Sequence, residues 1–198
     1  MSKPARDGAE HAAQGAVVVI PVKAFAQAKM RLSPVLTPTE RSALARRMAE
    51  RVLTAARPLP VAVVCDDHEV EQWAAGLGAR ALVEPGAGLN GAVTIAYAQL
   101  VTEGYDRVVI AHGDLPFATD LGWLAEVQGV AIVPDRREEG TNVLSLPAGC
   151  RFCFSYGPGS FLRHCQQAER SGLPWQVVRD ADLAWDVDLP SDMVGAGL

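Results

Sequence analysis

Val108-Val109-Ile110-Ala111-His112-Gly113-Asp114-Leu115-Pro116 is the stretch from which the fold is read. Its first four residues are apolar and mostly β-branched, the composition of a strand buried on both faces of a parallel sheet. The run stops at His112-Gly113, and Asp114 follows just past its C-terminal end. Ligands of open α/β sheets bind in the crevice at that end of the strands. A carboxylate there can hold a hard cation such as Mg²⁺ through its oxygens. The segment therefore predicts an α/β fold and a site chemistry together.

Residues 16–22 form a second continuous apolar run ending in Pro21-Val22-Lys23, which predicts a central first strand. Thr37-Pro38-Thr39-Glu40 is a capping box with proline at the first helical position. It opens a predicted helix to about residue 57, with Leu44, Met48 and Val52 on one buried face. A strand over 61–65 follows, then a helix to Leu77 capped by Asp66 or Asp67 and closed by Gly78, then a strand over 80–83. The glycine-rich loop 84–89 leads to Asn90, the expected N-cap of a helix to about residue 103. Beyond the strand at 107–111, Thr119 is the expected cap of a short helix carrying Leu121, Leu124 and Val127. Strands are predicted over 130–133 and 142–146, an extended segment over 152–156, a helix over 160–171 and a strand over 176–178. Alternating strands and helices predict a single-domain α/β fold over residues 16–198 with a mostly parallel sheet. Residues 1–15, small and polar, are expected to be a disordered tail.

A chain of 198 residues can bury one sizeable core, and 49% hydrophobic with 21% charged residues is ordinary for a globular protein. The net charge of -5 argues against nucleic-acid binding, which needs a basic surface. No segment approaches the ~20 apolar residues of a membrane span, and the N-terminus lacks the apolar core of a signal peptide. A cytoplasmic protein is expected; whether it forms a homodimer is left open. Cys150-x-x-Cys153 has no second pair to complete a zinc site, so the four cysteines are expected to be ordinary thiols.

Four motifs carry chemistry. Lys23, Lys29 and Arg31 fall in one loop after the first strand, two of them from a chain with only three lysines. Cations there suit a triphosphate, although a solvated basic loop has the same composition and no Walker motif is present. Asp186 and Asp188, two apart on an extended segment, share a face. With Asp114 they would repel one another unless a cation neutralised them. The alternatives are a turn cap for Asp114 and an N-cap before Pro190 for Asp188. Pro134-Asp135-Arg136 and Gly140-Thr141-Asn142 read as a turn, with Thr141 and Asn142 able to hydrogen-bond a ligand. Tyr156-Gly157-Pro158-Gly159-Ser160-Phe161 precedes a helix; its glycines and the helix N-terminus suit a phosphate or carboxylate, with Ser160 as a further donor or simply a cap. His164, one turn on, reads equally as a surface or a core histidine.

Taken in order, Ile20-Pro21-Val22-Lys23, Lys29-x-Arg31-Leu32, Leu89-Asn90, Gly113-Asp114-Leu115-Pro116, Pro134-Asp135-Arg136, Gly140-Thr141-Asn142, Tyr156 to Phe161 and Asp186-x-Asp188 resemble the CofC/FbiD guanylyltransferases of deazaflavin coenzyme biosynthesis. The resemblance covers about residues 16 to 193. It implies a nucleotide-diphospho-sugar-transferase-like (Rossmann-like) fold and Mg-dependent transfer of GMP from GTP to a three-carbon phosphoacid: phosphoenolpyruvate, 2-phospho-L-lactate or 3-phosphoglycerate. By the same resemblance Thr141, Gly157 and Ser160 bind the acceptor, and Asp114, Asp186 and Asp188 hold magnesium. Lys23, Lys29, Arg31 and Asn90 would contact GTP, with Lys23 and Asp114 as the catalytic pair. An arginine-rich, lysine-poor composition suggests a GC-rich bacterial genome and leans toward phosphoenolpyruvate.

Two other readings stand beside this one. Sugar-phosphate or molybdopterin nucleotidyltransferases resemble one another in a glycine-rich loop after the first strand, where this chain has Lys23-Ala24-Phe25-Ala26. A non-catalytic nucleotide-binding domain would explain phosphate loops but gives no reason for three converging aspartates.

Overall fold

The computed structural model describes residues 15–197. Strand β1 (Ala16–Pro21) lies in the middle of the sheet, between β2 (Val61–Cys65) and β4 (Arg107–Ala111), and pairs with both in parallel. Its side chains alternate: Val18 and Ile20 enter one core, Val17 and Val19 the other, as the two-residue period of a strand requires. This is why the run reads as uniformly apolar. β3 (Arg80–Val83), β5 (Val130–Pro134), β6 (Thr141–Pro147) and β7 (Trp175–Val177) complete seven strands in the order β3-β2-β1-β4-β6-β5-β7. β6 alone runs antiparallel to its neighbours β4 and β5.

Helices cover both faces. α1 (Pro38–Ala55) and α2 (His68–Gly76) pack on one core, α3 (Gly88–Thr102) and α4 (Ser160–Arg170) on the other. The capping box of α1 forms as predicted: Thr37 Oγ1 accepts from Glu40 N–H, and Glu40 accepts from Thr37 N–H at 2.8 Å. Asp67 rather than Asp66 caps α2. From β1 the chain steps one way to β2 and β3, then crosses back to place β4 on the opposite side. The reversal opens a crevice above the carboxyl ends of β1 and β4, where Val22-Lys23 and His112-Gly113-Asp114 emerge.

Several expectations are corrected. α3 starts at Gly88, with Ala87 at the cap position, so Asn90 lies inside the first turn and caps nothing. Thr119 does not cap a helix either; Leu121 holds the cap position of the short 3₁₀ turn Gly122–Ala125, and the Asp120 carboxylate accepts from Gly122 N–H at 2.7 Å. Residues 152–156 have no strand partner among the described residues. The last strand is Trp175–Val177, one residue earlier than expected. The tail expected over residues 1–15 lies, except for Gly15, outside the described residues. Among the described residues no helix is long and apolar enough to cross a membrane. All four thiols are free, with Cys150 buried and Cys153 exposed.

A small third core positions the site. Leu32, from the loop after β1, packs with Leu44 and Met48 of α1 and with Val187. Burying side chains of this size stabilises by about 1.5–3 kcal/mol each. Here that stabilisation ties the β1 loop and the C-terminal segment to one helix face. Because Val187 points into this core, the flanking Asp186 and Asp188 turn away from it.

Candidate active site

Above the carboxyl ends of β1, β2 and β4 lies a cavity of about 800 Å³, within the usual size range of small-ligand pockets. Lys23, Lys29 and Arg31 line it together with Asp114 and Asp188; Phe25, Leu89 and Ala92 contribute apolar wall. The loop after β1 and the loop after β4 thus meet over one volume, as both strand endings predict.

Lys29 is the centre of the charge arrangement. Its Nζ donates to Asp114 Oδ2 at 2.6 Å and to Asp188 Oδ1 at 3.2 Å, and its side chain is only 8% exposed. Burial works against the ammonium, but the two carboxylates outweigh it and hold Lys29 above the ordinary lysine value. Its backbone is left-handed, φ 53° and ψ 38°, although it carries a side chain. Such a conformation costs on the order of 1–3 kcal/mol and persists where surrounding structure enforces it, commonly at functional sites. Arg31, mostly exposed, reaches Asp188 Oδ2 at 3.5 Å. Lys23 is exposed at the cavity mouth.

The aspartates divide in behaviour. For Asp114, burial opposes ionisation, but Lys29 prevails and keeps the carboxyl below the usual range. For Asp186 the balance goes the other way: burial first, then Asp114 and Asp188, push it up to about 6. Asp114 Oδ1 and Asp186 Oδ1 are both buried without a hydrogen-bond partner. An acceptor left unpaired in a buried place is costly, and carboxylate oxygens are the ligands that a hard cation takes. Among the described residues, however, no three His, Cys, Asp or Glu side chains converge closely enough to hold a metal ion as they stand; the cation between Asp114 and Asp188 is Lys29 itself.

Asp188 does not cap the helix that follows it. Instead Leu189 occupies the cap position of α5 (Pro190–Ala196). Asp192, fully buried, accepts from Asp188 N–H at 2.9 Å and Leu189 N–H at 2.7 Å. Arg137 donates to its Oδ1 at 2.6 Å, and Arg136 pairs with the same atom. Burial opposes the charge, but these donors hold Asp192 at about 2. Arg136 also lies over the Trp185 ring, 4.1 Å from its centroid. Sequence reading missed this clamp on the Asp186–Asp188 segment. Its signal was present in Leu189-Pro190-Ser191-Asp192, proline at the first helical position with an acid two residues on.

The expected acceptor residues lie beside the cavity rather than in its lining. Asp135 organises the loop between β5 and β6, accepting from Arg137, Glu139 and Gly140 N–H at 2.9–3.0 Å. Thr141 then begins β6, with its hydroxyl oxygen 3.5 Å from Ser160 Oγ; both side chains are buried. Gly157 is exposed, with φ 115°, which a side chain would strain. Gly159, at φ 72°, is the cap position of α4, so Ser160 does not cap it. Two N–H groups at this terminus are engaged within the protein, Ser160 to Gly157 O and Phe161 to Glu139 O. Asn90 clamps the same loop: its Oδ1 accepts from Tyr156 N–H at 2.7 Å and its Nδ2 donates to Tyr156 O at 3.4 Å. The two regions touch through His112, which lines the cavity and packs on Tyr156 with ring centroids 4.9 Å apart. His164 is a core histidine, fully enclosed.

Comparisons with known proteins give the chain a family and a fold. A family model described as "Guanylyl transferase CofC like" matches residues 16–196. A phosphoenolpyruvate guanylyltransferase of Sphaerobacter thermophilus is 37% identical, covering 89% of this chain and 90% of that protein. A 3-phospho-D-glycerate guanylyltransferase of Phenylobacterium zucineum is 33% identical over 90% of this chain and 88% of that one. Among solved structures, a nucleotidyl transferase from Methanothermobacter superposes with a TM-score of 0.64 at 16% identity, covering 92% of this chain and 96% of the other; that likeness concerns the fold.

Proposed function

The chain belongs to the CofC-like guanylyl transferases, and from that premise we propose that it transfers GMP from GTP to the phosphate of a three-carbon phosphoacid, in the biosynthesis of the deazaflavin coenzyme. Phosphoenolpyruvate is the favoured acceptor, in line with the name of the Sphaerobacter relative. The Phenylobacterium relative's name keeps 3-phosphoglycerate in play, and 2-phospho-L-lactate completes the set to be tried.

The observation that carries this reading is the meeting of Lys29, Asp114 and Asp188 on the wall of the cavity at the sheet's reversal point. An acceptor phosphate is already an anionic nucleophile, so neither a serine or cysteine nucleophile nor a general base is required. Its oxygen attacks the α-phosphorus of GTP, a new P–O bond forms, the bond to the β-phosphate oxygen breaks, and pyrophosphate leaves. The obstacle is bringing anions together, so the work is positioning and electrostatic. Lys23, Lys29 and Arg31 supply positive charge along one wall. Lys29, held against the cavity wall by two carboxylates, would face the triphosphate. Asp114 and Asp186, with their unpartnered buried oxygens, and Asp188 are the side chains that would hold magnesium. That ion, when bound, neutralises phosphate charge and stabilises departing pyrophosphate. A purely nucleotide-binding domain would use the cavity but leave those unpaired oxygens without a purpose.

The test is pyrophosphate release from GTP and Mg²⁺ with each phosphoacid offered separately. Release with one of the three identifies reaction and acceptor together. Silence with all three from folded protein that binds GTP would reject the reading.

A further inference from the structure

Behind the loop expected to meet the acceptor, polar groups are joined in a directional chain. Ser155 N–H donates to His164 Nε2 at 3.0 Å. A ring nitrogen that accepts carries no proton, so the neutral imidazole is protonated at Nδ1. Nδ1 lies 3.0 Å from Thr141 Oγ1, which therefore receives that proton's hydrogen bond. The ring is fully buried, with Tyr156 edge-on at 4.9 Å and Phe152 at 5.5 Å between centroids. Burial, with Arg163 nearby, lowers His164 to about 4, so it stays neutral.

The chain continues from Thr141 Oγ1 to Ser160 Oγ, 3.5 Å away. These two hydroxyls own two hydrogens, and their mutual contact uses one. Because His164 donates into the pair, the second hydrogen is surplus to it. Both side chains are only 2% exposed, and a buried donor is stable only when it meets an acceptor. An anionic oxygen supplied by a ligand meets that need, and the exposed Gly157 beside Ser160 lets a ligand approach the backbone closely.

Resting on the function proposed above, we propose that His164 is a positioning residue for the acceptor phosphoacid. By donating to Thr141 rather than accepting from it, His164 leaves one hydroxyl hydrogen of the Thr141–Ser160 pair free for a carboxylate or phosphate oxygen of the acceptor. His164 itself touches neither substrate.

Two substitutions in the full chain separate this role from packing. In His164→Asn the amide NH₂ can replace Nδ1–H toward Thr141 while the acceptor for Ser155 is lost. In His164→Gln the amide oxygen can replace Nε2 toward Ser155 while the donor to Thr141 is lost. The expected result is that His164→Gln raises KM for the acceptor at least tenfold, with KM for GTP and kcat within about twofold. His164→Asn should keep the acceptor KM within about threefold of the parent. An unchanged acceptor KM in His164→Gln, or equal rises in both variants, would overturn the proposal while leaving guanylyl transfer intact. A parent protein silent with every acceptor would instead overturn the transfer reaction, and this inference with it. If neither variant folds, ¹⁵N NMR of the parent decides. A protonated Nδ1 with a bare Nε2 at neutral pH is expected, and a protonated Nε2 would overturn the proposal.

Discussion

Lys29 Nζ donates to Asp114 Oδ2 at 2.6 Å, joining two loops whose residues stand 85 positions apart in the chain. The contact brings the ending of β1 to the ending of β4 and settles the resting charge of the cavity. It also means that any cation entering among the aspartates meets an ammonium already there.

Removing that ammonium should therefore expose the repulsion it conceals. In Lys29→Met the stem is kept and the charge lost, leaving Asp114 and Asp188 facing each other. Breaking a buried pair in this way costs 3–5 kcal/mol; with Asp188 43% exposed, about 2 kcal/mol is the realistic loss. Thermal unfolding in EDTA should show a fall in Tm of about 4–8 °C. Added Mg²⁺ should recover more of that fall than it adds to the parent protein. No larger Mg²⁺ response in the variant would contradict the carboxylate assignment.

Asp114→Asn preserves shape and leaves Lys29 its bond to Asp188. The fold should survive, with a circular dichroism spectrum matching the parent, while turnover drops at least a hundredfold, about 2.7 kcal/mol of barrier. Near-normal turnover would remove Asp114 from the site.

Asp186→Asn should stabilise the protein while disabling it. A carboxyl raised to about 6 in the fold, against about 4 when unfolded, penalises the folded state as it ionises. The penalty begins as pH rises past about 4 and is complete above about 6. After allowance for partial exposure it amounts to about 1–2 kcal/mol. The Asn variant should thus melt a few degrees higher at pH 7.5 and equally at pH 4. Equal melting at both pH values would show that the carboxyl is not strained by its neighbours.

Asp192 carries the opposite sign. Held at about 2 in the fold, it contributes stability that is present above the unfolded value of about 4 and is lost as pH falls from there toward 2. Asp192→Asn should cost about 2–3 kcal/mol at pH 7, with the difference shrinking on acidification. Because Asp192 also fixes the backbone of Asp188, its loss should raise the Mg²⁺ concentration needed for activity. A variant matching the parent in Tm at pH 7 would refute the clamp.

The parts of this molecule that could be read from sequence are those governed by local rules. The runs at 61–65, 80–83 and 107–111 coincide with β2, β3 and β4 residue for residue, since continuous apolar runs bounded by turn residues have few other solutions. The Thr37 capping box is equally local. Helix starts failed where tertiary contact overrode the cap rule: Asn90 is drawn to the Tyr156 backbone 66 positions away, and no window on the sequence contains both. The meeting of the Lys29 loop with Asp114 followed from strand endings, but the arrival of Asp188 and the pairing of the three charges did not. Loop charges were expected to face a ligand, whereas the fold makes them neutralise one another. His164 was undecided for a related reason. A histidine on a helix shows its role only when the strand it faces is known, and β6 brings Thr141 to it from 23 positions away.

In the proposed reaction the α-phosphorus of GTP ends up joined to the acceptor's phosphate. The most direct measurement follows GTP labelled at the α-phosphate, incubated with Mg²⁺, the protein and phosphoenolpyruvate, and identifies the labelled product by chromatography and ³¹P NMR. Guanylyl transfer predicts label in a new diphosphate-linked species that retains the three-carbon acid, formed one-for-one with pyrophosphate. Label released as free GMP, or left in GDP, would contradict it.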